Sequence, residues 1–332
     1  MKVCVFGAGA IGGHIAARLA KGGTDVSVVA RGANLGAIQE RGLTVHAPDG
    51  TLHCRPRASA DPAALGPQDA VIVTTKAPAL PGVAAAIAPL LGPETPVAFV
   101  TNGIPWWYFA HHGGAEEGQR VPEADPGDVV WNAIGPARAI GGVVYSACDV
   151  TEPGVVEVET SDGRVILGEV DGRISARVQA LSAAIAAGGL PSPAVPDIRQ
   201  AVWQKLLGNL VSGPLCILTR SCMQDTLQSS EARETAIRMS EEVTAIAAAE
   251  GWPIPGDAPA ARVARAARLR HKPSILQDLE AGRMMEVEAM LQAPLRIARE
   301  AGLAVPTLAL MVALATRAAI TAGLYTPSED AA

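Results

Sequence analysis

The hydrophobic positions of this chain follow two regimes. In the first half, short β-branched runs (Val3–Phe6, Asp25–Ala30, Ala70–Thr75, Val97–Thr101) alternate with Ala-rich stretches of helical period such as Ala10–Lys21. Strand, helix, strand in that order predicts an α/β fold, a Rossmann-type doubly wound parallel sheet. Near-continuous apolar strands are those covered on both faces. From 140 to 169 the pattern turns strand-like, with turns at Pro153-Gly154 and Ser161-Asp162-Gly163. Gly142–Tyr145, Val155–Glu159 and Val165–Leu167 are therefore expected to add antiparallel strands at the sheet edge. Ile174–Ala187 reads as one more helix. Between these parts, Trp106-Trp107-Tyr108-Phe109, His111-His112 and a Gly- and acid-rich stretch to Asp128 read as an inserted loop with a short helix. The Gly- and Pro-rich segment 188–196 is the strongest punctuation in the middle of the chain, and it predicts a hinge between a dinucleotide-binding domain (1–190) and an all-α domain (191–332). The second regime is amphipathic helix, from about Ile198 to Val211, Asp225 to Glu250, Pro259 to His271, Arg283 to Ala301 and Pro306 to Ala322. The acidic tail Ser328-Glu329-Asp330 is expected to fray.

Length and composition sharpen this picture. A chain of 332 residues exceeds one ordinary core, and two domains imply a cleft. Hydrophobic residues reach 49% but aromatics only 3%, so both cores must be aliphatic. The net charge of −6, from 27 basic and 33 acidic residues without a long block of either sign, argues against nucleic acid or an anionic membrane as partner and for a small molecule. The N-terminal apolar run is too short for a signal peptide and no stretch reaches 18 apolar residues, so the reading is cytoplasmic. Cys4, Cys54, Cys148, Cys216 and Cys222 show no Cys-x-x-Cys spacing, which suits buried thiols in a reducing compartment. His111-His112 lack a spaced partner set, so no metal site is predicted.

Gly7-Ala8-Gly9-Ala10-Ile11-Gly12 follows one predicted strand and opens a predicted helix, the context the dinucleotide fingerprint requires. Gly7 allows the tight turn, Gly9 the approach of backbone to a pyrophosphate, and Gly12 close packing of helix on strand. The second strand carries no acid at its end for a ribose 2′-hydroxyl. It runs instead into Arg31, whose guanidinium suits the 2′-phosphate of NADP. Ligands of open parallel sheets sit beyond the carboxyl ends of the strands. Lys76 and Asn102 stand at two such ends, and both side chains are expected at one crevice. On the helix after the hinge, Lys205 and Asn209 are four residues apart and share a face. Ser274 is read as a helix cap or a ligand, and Glu286 as an exposed acid or part of a site.

In order and spacing these residues resemble the ketopantoate reductase (2-dehydropantoate 2-reductase) family. The resemblance covers Gly7-x-Gly9-x-x-Gly12, Lys76-Ala77, Asn102-Gly103, Trp203-x-Lys205-x-x-x-Asn209, Ser274-x-Leu276-Gln277-Asp278 and Glu286. It implies NADPH-dependent reduction of a 2-keto acid, by default 2-dehydropantoate to pantoate. Lys205 would be the general acid, Asn209 would hold substrate, Ser274 would lie near its carboxylate and Glu286 at its hydroxyl end, with Lys76 and Asn102 by the nicotinamide and its ribose. It also implies a homodimer. Such chemistry calls for an ammonium, because hydride addition to a keto carbon builds negative charge on oxygen that lysine can both stabilise and protonate.

Two positions depart from the family pattern. Its second helix asparagine is Gly213 here, and a further one is Met223. These changes open an alternative, a D-2-hydroxyacid dehydrogenase of the same scaffold for a bulkier 2-keto acid. A third reading, a dinucleotide sensor without turnover, leaves Lys205 and Asn209 without a purpose.

Overall fold

The apolar runs at the start of the chain become the centre of a seven-stranded sheet. The structure, a computed structural model, describes residues 1–327, so the acidic tail expected to fray lies outside the described residues. In chain order the strands are β1 (Lys2–Phe6), β2 (Asp25–Val29), β3 (Leu43–Ala47), β4 (Gly50–Cys54), β5 (Arg57–Ser59), β6 (Ala70–Val73), β7 (Val97–Val100), β8 (Ala139–Tyr145), β9 (Cys148–Glu152), β10 (Val155–Val158) and β11 (Arg164–Glu169). The main sheet has the order β11-β8-β7-β6-β1-β2-β5, and only β11 runs antiparallel to its neighbour. Every residue of β6 and β7 is buried, as strands covered on both faces must be.

The edge-strand expectation needs correction at two places. Gly142–Tyr145 belongs to β8, which pairs parallel with β7 in the register Phe99 to Gly141 and Val100 to Gly142. The long crossover between the two strands makes that direction accessible. Val155–Glu159 does not join this sheet. β10 pairs with β3 and β9 in a separate four-stranded sheet of order β4-β3-β10-β9. Its burial alternates along the strand, the mark of a sheet with one wet face. Of the three segments, only Val165–Leu167 becomes an antiparallel edge strand of the main sheet.

The helices are α1 (Ala10–Lys21), α2 (Gly32–Arg41), α3 (Leu80–Ala86), α4 (Val129–Ala133), α5 (Ala176–Ala187), α6 (Ile198–Thr219), α7 (Met223–Thr226), α8 (Ser230–Ala249), α9 (Pro259–Ala266), α10 (Ser274–Glu280), α11 (Ala293–Glu300) and α12 (Pro306–Thr321). α1 packs against both sheets and α5, and its Ile15 and Leu19 join one apolar cluster with Val5, Ile72, Val156 and Leu181. The helix after the hinge was expected to stop near Val211, yet α6 continues through Pro214. Burial of Leu210, Val211, Leu215, Cys216 and Ile217 outweighs the backbone hydrogen bond that proline removes. The segment from Trp106 is a loop followed by a short helix, as expected, and its aromatic part is buried. Trp106, Trp107, Tyr108 and Phe109 are all buried, with Phe99 and Trp106 edge to face at 5.2 Å.

By its contacts the chain divides into two units. One comprises Met1–Thr101 with Pro105–Ile198, the other Asn102–Ile104 with the residues from Arg199 onward. The second unit has its own core, with Trp203, Leu206, Met239, Val243, Leu276, Met290 and Val312 buried. Among the described residues, no helix is long and apolar enough to cross a membrane.

Candidate active site

In the first unit, β1 ends at Phe6 and α1 begins at Ala10, so the chain reverses over three residues. Gly7 holds φ at +107°, and a β-carbon on Gly12 would lie 2.0 Å from the Gly7 carbonyl oxygen. Only glycine fits at both positions. Gly9, by contrast, has no atom within 4 Å of where its β-carbon would be, so its open side can accept a ligand. Gly9 is also the N-cap of α1, with no side-chain cap and no acid in the first turn. The N–H groups of Ala10 and Ile11 and the positive end of the helix dipole are therefore available to an anion.

Two side chains hold this loop, and sequence reasoning singled out neither. Thr74 Oγ1 donates to the Gly7 carbonyl at 2.6 Å. Asn34 Nδ2 donates to the Ala8 carbonyl, while Asn34 Oδ1 accepts from Gly154 N at 2.7 Å. Next to Thr74, the buried Thr75 hydroxyl has no hydrogen-bond partner among the described residues. An uncapped helix end, an open glycine and an unsatisfied hydroxyl together fit a dinucleotide pyrophosphate. Arg31 follows β2 by two residues, is exposed, and caps α2 with extended backbone. Lys76 follows β6, is half-buried and precedes a short 3₁₀ turn at Ala77–Ala79.

Behind the loop, α1 carries a second polar cluster. Arg18 donates to both Asp49 carboxylate oxygens at 2.6 Å, and its Nε donates to His14 Nε2 at 3.1 Å. Burial, and after it the neighbouring guanidinium, lowers the His14 pKa to about 4.

In the second unit, α6 buries Trp203 and leaves Lys205 and Asn209 half-buried on a shared face. Lys205 Nζ donates to Asn102 Oδ1 at 2.7 Å, and Asn102 Nδ2 donates to Glu286 Oε2 at 3.3 Å. Glu286 is only 5% exposed, so of the two readings that of an exposed acid falls away. Asn102 reaches this group because Gly103 and Ile104 are fastened to the second unit. Ile104 N donates to the Ala289 carbonyl at 2.8 Å. Gly103 has φ +84°, and a β-carbon there would stand 2.4 Å from the same oxygen. Ala289 lies in a π-helical turn, Glu288–Gln292, whose register change turns that carbonyl toward the 102–104 segment. The turn is secured in turn by the Tyr325 hydroxyl, which donates to Glu288, and by Met285 N, which donates to the Leu324 carbonyl.

Ser274 is the first residue of α10, not its cap. Pro273 holds the cap position and no side chain closes the helix end, which leaves the exposed Ser274 hydroxyl for another use. Met223 is buried at the start of α7. The structure thus draws Lys205, Asn102 and Glu286 into one hydrogen-bonded chain, places Asn209 one turn along α6, and keeps Lys76, Arg31 and the glycine loop in the first unit. Gly103 and the π-helical turn carried no periodic signal, although the Asn-Gly pair alone pointed to a turn.

Comparison with known proteins bears on the family and the fold. The family model for ketopantoate reductase PanE/ApbA matches residues 3–172, and that for the C-terminal part of the same family matches residues 197–319. The chain is 42% identical to a 2-dehydropantoate 2-reductase of Mesorhizobium japonicum over 98% of its own length and 100% of that protein. It resembles, with a TM-score of 0.90 and 37% identity, the structure of a Ralstonia solanacearum MolK2 protein assigned provisionally as a ketopantoate reductase, covering 97% of this chain and 99% of that one. A D-mandelate dehydrogenase structure with NADH and anilino(oxo)acetate is similar at TM-score 0.82 over 98% of this chain and 100% of that one, but at 20% identity that likeness concerns the fold alone.

Proposed function

This chain belongs to the ketopantoate reductase family, and on that premise we propose that it reduces 2-dehydropantoate to pantoate with NADPH. The observation that carries the proposal is the hydrogen-bonded chain from Lys205 through Asn102 to the buried Glu286. Bound NADPH supplies the hydride. Gly7 to Gly12 would hold the pyrophosphate through Gly9 and the N–H groups of Ala10 and Ile11, Arg31 would meet the 2′-phosphate, and Lys76 would serve the nicotinamide ribose.

Lys205 performs the proton chemistry. Asn102 accepts one of the three ammonium protons, which keeps the group from swinging into water. A keto oxygen placed at Nζ gains both charge stabilisation and its proton as the alkoxide develops. Glu286 orients the Asn102 amide and accepts from the terminal hydroxyl of the substrate. Asn209 contacts the keto acid one turn further along, and Ser274 donates to its carboxylate. The protein works in the cytoplasm, where its five free cysteines stay reduced. It forms a homodimer that covers Leu310 and Leu314, which are 59% and 46% exposed on α12.

A dehydrogenase for bulkier 2-keto acids finds less support. Gly213 and Met223 suggested room for a larger substrate, yet both are buried, and Ile275 lies against Gly213. A sensor without turnover would have no need of an ammonium held by an amide and a carboxylate. Replacing Lys205 by alanine is expected to lower kcat for 2-dehydropantoate by about 10²- to 10⁴-fold while the dissociation constant for NADPH stays within about two-fold. Steady-state oxidation of NADPH with fluorescence titration of the cofactor reads both, and an unaltered kcat would remove Lys205 from the chemistry.

A further inference from the structure

Glu286 is buried, yet no regular helix holds it in place. Residues 283–286 form no repeating structure between α10 and the π-helical turn, so the position of this carboxylate depends on what grips the stretch from outside. At its near end, Arg283 N donates to the Asp278 carbonyl at 2.8 Å. At its far end, the grip comes from the residues that close α12. Gly323 has φ +70°, its N–H donates to the Ile320 carbonyl at 2.9 Å, and Leu324 N donates to the Ala319 carbonyl at 3.1 Å. Two such bonds around a left-handed glycine form the cap that satisfies a helix's last carbonyls and reverses the chain. Leu324 and Tyr325 are thereby directed onto the Glu286 stretch. The Leu324 carbonyl accepts from Met285 N at 3.0 Å, and the Tyr325 hydroxyl donates to Glu288.

These two contacts straddle Glu286. One is made by the residue before it, the other by the side chain two residues after it, at the start of the turn whose Ala289 carbonyl fastens Ile104. Tyr325 is half-buried, and burial, followed by the Glu288 carboxylate beside it, raises its pKa above the ordinary range. The phenol therefore keeps the proton that this bond requires. A hydroxyl donating to a carboxylate makes a charge-assisted bond, short and directional, which fixes position as well as adding energy. We propose that Tyr325 is a positioning residue for Glu286, because by holding Glu288 it sets the stretch that presents the Glu286 carboxylate to the terminal hydroxyl of the keto acid. The inference rests on the reductase reading above and adds to it a residue outside the proposed substrate contacts.

The test compares kcat/KM for 2-dehydropantoate and for trimethylpyruvate, the same keto acid without its hydroxyl, in the full-length enzyme and its variants. Tyr325→Phe deletes the donor and keeps the ring. It is expected to lower kcat/KM for 2-dehydropantoate by about five-fold or more, mainly through KM, and to leave trimethylpyruvate within about two-fold, because a displaced carboxylate matters only to a substrate with a hydroxyl to offer it. Glu288→Gln, which still presents an oxygen to the phenol, should keep the wild-type preference. Glu288→Ala should reproduce Tyr325→Phe, and the two changes together should cost no more than either alone, since both remove one bond. A residue of merely structural importance would lower both acids alike. Equal losses in Tyr325→Phe, a preference that survives it, or a wild-type enzyme that does not distinguish the two acids would therefore overturn the assignment while leaving the reductase reading intact. A wild-type enzyme that oxidises NADPH with neither acid would instead remove that reading, and this inference with it.

Discussion

At the scale of single residues the proposed reaction separates catalytic from structural use of polar groups. Lys205 and Glu286 are joined through one amide, so each group is satisfied by a neighbour, and in that reaction Lys205 would give the proton. His14 shows the structural use. Its Nδ1 lies 3.1 Å from Ser146 Oγ, its Nε2 accepts from Arg18, and no solvent reaches it. Burial lowers its pKa from an ordinary 6.5 to about 4, so between these values the unfolded chain holds a proton that the folded one refuses. Stability is therefore complete above about pH 6.5 and is lost as the pH falls toward 4, by about 2 kcal/mol between pH 7 and pH 5. Urea unfolding at the two pH values reads this loss, and His14→Gln should flatten it; a slope that survives the substitution would mean other groups carry it. Asp49 acts in a lower window, because hydrogen bonds from Arg18 hold it near 2 and its contribution disappears only as the pH falls below 3.8. Lys205 and Asn209 were legible in the sequence because a helix fixes which residues share a face. His14 was not, since nothing in the local pattern announces that Arg18 and Ser146 converge on it.

At the scale of elements, glycines decide which segments can touch. The π-helical turn at Glu288–Gln292 and the positive φ of Gly103 together bring Asn102 to Lys205. Gly103→Ala would force a β-carbon to 2.4 Å from the Ala289 oxygen in a backbone region that alanine adopts poorly. The expected result is a loss of stability of about 1–3 kcal/mol, with kcat reduced about ten-fold or more while NADPH affinity is retained. Denaturant unfolding and steady-state rates check this, and a variant with unimpaired turnover would show that Asn102 does not depend on the clamp. Strand order follows the same logic. Apolar runs located β1, β6 and β7, but the assignment of β10 to the second sheet came from pairing with β3, more than a hundred residues earlier in the chain. Periodicity states which face of a strand is buried and is silent on the neighbour that buries it.

At the scale of the whole molecule the chain has two units with separate cores, and in the proposed reaction the first would cradle the dinucleotide and the second would carry the proton donor. A ligand that binds only the folded first unit should stabilise it by about 2.7 kcal/mol at a hundred times its dissociation constant. Calorimetry with NADP is expected to show the melting transition of that unit rising by roughly 5–10 °C, with NAD giving a smaller shift because Arg31 then lacks a phosphate partner. Equal shifts for the two cofactors would remove Arg31 from the 2′-phosphate site. The net charge of −6 makes no demand on this division, since neither unit has to attract a polyanion larger than the cofactor.

The sequence by itself determined the parts that are local in the chain. The strand, glycine loop and helix of residues 2–21 are contiguous, and steric rules among near neighbours dictate their form. So it was too with the face shared by Lys205 and Asn209. Only the tertiary structure decided that Asn102 would meet Lys205 and Glu286, 103 and 184 residues away, and that Ile275 would lie against Gly213. Contacts at such separations are chosen by how whole elements pack once loop entropy has been spent, a choice that no short window of residues contains.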